Sequence, residues 1–161
     1  VGTLLVPLGT FLLPGFLFGW GKPVPVTWKN LRQPRRDMAL VAFAGPAAYL
    51  LMLVLWAVVL KLASLLVGSA EWIAMPLIDM GSAGVLINAI LMVLNLLPIL
   101  PLDGGRILAS LLPPKLALAV SRSEPDGLFI VLGLLVTGLL GRLLWPVVQG
   151  LQSLAAALVG L

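Results

Sequence analysis

Between residues 38 and 67 the chain carries a single charge, Lys61, in an otherwise apolar stretch rich in Leu, Val and Ala. A run of that length exceeds the roughly 20 apolar residues needed to cross the hydrocarbon layer of a bilayer. Inside lipid every backbone N–H and C=O must find its partner within the protein, so such a segment has to be helical. The rest of the sequence agrees. Of 161 residues 61% are hydrophobic and only 10% are charged, and a soluble domain of this size could not cover so much apolar surface. The chain therefore reads as an all-α polytopic membrane helix bundle forming one domain over residues 1–161, with about four membrane segments.

The order of segments follows from prolines and charges. Residues 1–19 make an apolar segment broken by Pro7, Gly9, Pro14 and Gly15. A basic loop follows over 20–37, where Lys22, Lys29, Arg32, Arg35 and Arg36 face a single Asp37. Spans are expected at 38–67, 83–100 and 127–148, with a loop at 68–82, a short helix at 104–112, a polar connection at 115–126 and a loosely packed tail at 149–161. Of the 10 basic residues all but Lys61 and Arg142 fall in the 21–37 loop or in 103–126, while the 68–82 loop has none. The positive-inside rule then places both basic regions on the cytoplasmic side. Lys61 and Arg142 sit near helix ends, from which long side chains can snorkel to the opposite interface. The net charge of +4 thus reports topology and attraction to anionic lipid headgroups at the basic loop, and does not suggest nucleic-acid binding.

Absences narrow the chemistry. With no histidine and no cysteine, the chain has no imidazole base, no imidazole or thiolate metal ligand and no disulfide. What remains is a small set of polar groups at membrane depth, where polar groups are costly. Asn88 and Asn95 are seven residues apart, on one helix face, and either hold the bundle by bonding across to neighbouring helices or serve a site. Just beyond lies Asn95-Leu-Leu-Pro98-Ile-Leu-Pro101-Leu-Asp103-Gly104-Gly105-Arg106. Pro98 and Pro101 remove two backbone donors, so the chain must unwind there. Asp103 then has two readings. It caps the helix that follows, or it is a hard oxygen ligand for a metal, with Gly104 permitting close backbone approach.

The spacing Asn95-x-x-Pro98-x-x-x-x-Asp103-Gly104 resembles the Asn-Pro-Asp-Gly signature of the site-2 protease family of intramembrane zinc metalloproteases. Gly2-Thr-Leu-Leu, Gly19-Trp-Gly-Lys-Pro-Val-Pro-Val26, Asn30-Leu-Arg with Arg35-Arg36-Asp37, and Ala44-Gly45-Pro46 are similar to stretches of its short bacterial members. The resemblance implies that Asp103 is a zinc ligand, that Asn95, Pro98, Gly104 and Asn88 bind substrate or support the site, and that the protein lies in a bacterial plasma membrane with Asp103 near the cytoplasm. It further implies a metalloendopeptidase that cuts peptide bonds in or near transmembrane segments of membrane-protein substrates. Pro23-Val-Pro-Val26 could pair as a strand with an unwound substrate, or form a rigid loop.

Two departures qualify this. Tyr49 stands where relatives carry asparagine. More importantly, the family's His-Glu-x-x-His helix, with its two zinc ligands and general base, is missing here, and the sequence begins at the boundary that helix should precede. An N-terminal truncation is expected, which leaves this chain inactive alone. The alternatives are a pseudoprotease that binds membrane helices without cutting them, and an unrelated transporter subunit with Asn88, Asn95 and Asp103 along an ion path.

Overall fold

The structure, a computed structural model, describes residues 34–122 and 124–160. The broken segment 1–19, the basic loop through residue 33 and residues 23–26, read as a strand or a rigid loop, lie outside the described residues. All secondary structure among the described residues is helical: α1 (Pro34–Leu65), α2 (Glu71–Asn95), α3 (Asp103–Leu111), α4 (Pro114–Arg122), α5 (Glu124–Val136) and α6 (Leu139–Val159). Among the described residues three helices are long and apolar enough to cross a membrane: Arg36–Leu65, Glu71–Asn95 and Leu139–Val159.

Several boundaries differ from the sequence expectation, each for a local reason. α1 opens at Pro34 and so absorbs the end of the basic loop. Proline fits a first helical position because its missing N–H would have no partner there, and Asp37 in the first turn faces the positive end of the helix dipole. α2 begins at Glu71, well inside the expected 68–82 loop, despite Pro76. An interior proline costs a helix about 3 kcal/mol. Here packing offsets it, because Ala74 and Gly81, seven residues apart on one face, are both buried. Pro114 opens α4 as Pro34 opens α1, so the expected polar connection at 115–126 is also largely helical.

α1 and α2 pack antiparallel through small residues. Gly84 lies against the indole of Trp56, and the position a Gly81 Cβ would occupy is 3.0 Å from the Leu60 Cβ. Membrane helices associate largely by such close packing, since lipid supplies no hydrophobic drive between them. α6 completes the core: Leu53 and Ala57 of α1, Val85 and Ala89 of α2, and Leu144 and Val148 of α6 form one buried cluster.

The expected span at 127–148 is divided. α5 stops at Val136, and Gly138, at φ 71°, takes a left-handed conformation that side-chain-bearing residues avoid. α6 then runs on through the expected tail, and its Ala155 is only 2% exposed within the core. The buried Leu140, Leu144, Val148 and Ala155 recur at helical spacing, which is what holds the tail in place.

Lys61 does not simply reach for solvent. Its Nζ donates to the Gly160 carbonyl at 2.7 Å, placing a cation on the negative end of α6. Lys61→Met is expected to lower stability by about 1 kcal/mol, read as an earlier midpoint in detergent-denaturant unfolding. An unchanged midpoint would show that the bond contributes nothing.

Candidate functional site

α2 ends at Asn95, and residues 96–102 form an irregular turn before α3. Pro98 and Pro101 have no N–H to place. The donors that remain are met locally: Leu97 N bonds to Leu94 O at 3.1 Å, Ile99 N to Leu97 O at 2.8 Å and Leu102 N to Ile99 O at 2.9 Å. An unwound segment between apolar helices is thereby largely satisfied without continuing the helix.

The turn is tight enough to exclude side chains. A Cβ on Gly104 would strike the carbonyl oxygen of Leu96, and a Cβ on Gly105 would stand 2.5 Å from the Leu100 nitrogen. Both glycines are buried. Their neighbours are backbone atoms, which cannot swing aside as a side chain can.

Asp103 is the first residue of α3. Leu102 occupies the N-cap position in extended conformation, with φ −68° and ψ 158°, and no side chain makes a capping bond. The capping role considered for Asp103 is therefore not what the structure shows. Its carboxylate instead reaches α1, where Oδ2 fills the space that a side chain on Gly45 would take and Cγ lies 3.4 Å from that position. Burial pushes the Asp103 carboxyl above the ordinary aspartate range, while the Arg106 guanidinium pulls it the other way. A cation placed at the carboxylate would favour its ionised form.

The two asparagines turn inward on their own helix. Asn88 Nδ2 donates to Gly84 O at 2.8 Å and Asn95 Nδ2 to Leu91 O at 2.9 Å. The expected bonds across to neighbouring helices are replaced by bonds to carbonyls four residues back, the nearest acceptors for a short polar side chain in a helix. Asn95, Pro98 and Gly104 share the Asp103 turn, whereas Asn88 lies about two helical turns back along α2.

A catalytic zinc needs three protein ligands. Among the described residues no three His, Cys, Asp or Glu side chains are grouped to hold a metal, and the sequence contains neither histidine nor cysteine. The residues present thus do not make a zinc site by themselves. They offer one carboxylate, held by a rigid turn.

Sequence reasoning missed Gly45 as a neighbour of Asp103. It treated Ala44-Gly45-Pro46 only as a stretch similar to family members, and nothing in the spacing linked it to a residue so far along the chain.

The family model described as Peptidase family M50 matches residues 65–135, a stretch that includes the turn and Asp103. A protein of Bacillus subtilis (strain 168) named "Putative zinc metalloprotease YwhC" is 34% identical over 148 residues, covering 90% of this chain and 67% of that protein. No solved structure matches. With a family match across the turn and a relative aligned along nearly the whole chain, this integral membrane protein belongs to peptidase family M50, the site-2 proteases.

Proposed function

We propose that this chain is the part of an intramembrane zinc metalloendopeptidase that supplies the carboxylate ligand, Asp103. The observation that carries the reading is a half-buried carboxylate set on a proline-unwound, glycine-packed turn and seated against Gly45 of a membrane-crossing helix. The other zinc ligands and the general base come from outside these 161 residues, since no histidine is available within them. Asn95, Pro98 and Gly104 shape the turn, and Asn88 supports the helix that leads into it. The substrate is a membrane protein cut in or near a transmembrane segment. By the positive-inside count the turn faces the cytoplasm from a bacterial plasma membrane, with Lys22, Lys29, Arg32, Arg35 and Arg36 on anionic headgroups. A second reading, binding of membrane helices without cleavage, is favoured for the chain acting alone by its lack of histidine.

Membranes containing the protein made from its complete gene should cleave a reporter with a transmembrane segment, and 1,10-phenanthroline should stop them. Membranes containing only residues 1–161 should bind the reporter at most. Phenanthroline-insensitive cleavage, or none by the complete-gene protein, would overturn the protease reading.

A further inference from the structure

We infer that Gly127 of α5 is a positioning residue for Asp103, a deduction that rests on the reading of Asp103 as the working carboxylate. A Cβ on Gly127 would collide with the carbonyl oxygen of Leu100, and would stand 2.7 Å from the Leu100 carbonyl carbon and 3.3 Å from Cγ2 of Ile99. The backbone of α5 therefore rests directly on the backbone of the turn, three residues before Asp103. Gly104 and Gly105 also touch the turn, but they belong to the helix that it leads into. Gly127 comes from a separate helix, beyond α4.

The turn is consequently seated from two sides. α5 meets it at Leu100, and at its other end the Asp103 carboxylate meets α1 at Gly45. Leu100 is buried, at 6% exposure, and the obstructing atoms are main chain, so an added methyl on Gly127 cannot be accommodated by a rotamer change. Either α5 withdraws or the turn shifts, and a shift of the turn carries Asp103 with it relative to Gly45. Gly133, two turns further along α5, has nothing within 4 Å of its added Cβ and supplies the contrast.

These 161 residues contain no cysteine, so once any cysteine outside them is replaced by serine the displacement can be read by disulfide trapping. One pair, Gly45→Cys with Asp103→Cys, reports the seating of the turn on α1. A second, Leu60→Cys with Gly81→Cys, reports α1–α2 packing, where the Cβ positions are 3.0 Å apart and the helices must part by about 0.5 Å to reach disulfide geometry. In membranes containing the full protein, oxidised with copper phenanthroline, both pairs should close. Adding Gly127→Ala should lower the yield of the 45–103 pair by about threefold or more, because disulfide geometry tolerates little displacement. The 60–81 yield should stay as before, and Gly133→Ala should change neither.

An unchanged 45–103 yield in Gly127→Ala overturns the inference. So does an equal fall in both yields, or loss of the variant from membranes, either of which assigns Gly127 to folding in general. Failure of the parent 45–103 pair to close overturns it as well, because the contact being positioned would not exist. None of these readouts involves zinc or cleavage. The positioning role can therefore fail while the metal reading stands, and the reverse.

Discussion

Asp103→Asn is expected to strip zinc from the protein made from its complete gene, with a loss of metal affinity of at least about 100-fold, beyond what removal of a mere supporting contact produces. Asparagine keeps the size and shape that fit against Gly45 but cannot carry the negative charge that a hard cation requires. Helical content and abundance in membranes should therefore be unaffected, which separates loss of a ligand from loss of fold. The check is zinc content of the purified protein after dialysis, read beside cleavage of a transmembrane reporter. Asp79→Asn, which removes an exposed carboxylate elsewhere on α2, should leave both as they were. Full zinc occupancy in Asp103→Asn would remove Asp103 from the ligand set.

Gly104→Ala should be among the most damaging single methyls in the described chain. The new Cβ would press on the carbonyl oxygen of Leu96 and lie 2.5 Å from that of Leu97, both main-chain atoms in a turn whose donors are already committed to Leu94, Leu97 and Ile99. Overpacking of this kind costs about 3 kcal/mol. The expected result is local melting of residues 96–103, seen as protease cleavage in the turn and a lowered unfolding midpoint in mixed micelles. Gly133→Ala should do the opposite and gain about 0.5–1 kcal/mol, because alanine is the better helix former and that position is open. Equal effects at the two positions would mean that the turn has room the structure denies it.

Hydropathy and proline placement were enough to show the solvent of this protein, its helical class and the break at Pro98 and Pro101, because all three depend on local composition. Helix ends were harder. Pro34 and Pro114 look like breakers when read one residue at a time, yet each opens a helix, since a first-turn proline loses no bond. The start of α2 at Glu71 was hidden because Glu71 and Asp79 read locally as loop charges, whereas the burial of Ala74 and Gly81 that carries the helix through Pro76 is tertiary. The division at Gly138 was hidden for a related reason: glycine in an apolar run is ordinary in membrane helices, and only its φ shows a joint.

At the site, the motif singled out Asp103, Asn95, Pro98 and Gly104, which do share one turn. Its surroundings were not accessible in the same way. Gly45 and Gly127 matter because of atoms they lack, and which backbone or carboxylate fills that space is decided by helix packing across 58 and 24 residues of sequence, the separations from Asp103 that follow from their numbering.

The contact between Asp103 and Gly45 also turns α1 into a measuring rod. From Gly45 to Leu65 there are about 20 residues, and at a rise of about 1.5 Å each they span about 30 Å, the thickness of the hydrocarbon layer. Along the apolar stretch Arg36–Leu65 the Asp103 carboxylate therefore lies about two thirds of the way from Leu65 to Arg36, nearer one end of the crossing than its middle. The portion of α1 before Gly45 keeps Leu40, Val41 and Phe43 exposed, so the greasy surface of the rod continues past the level of the carboxylate.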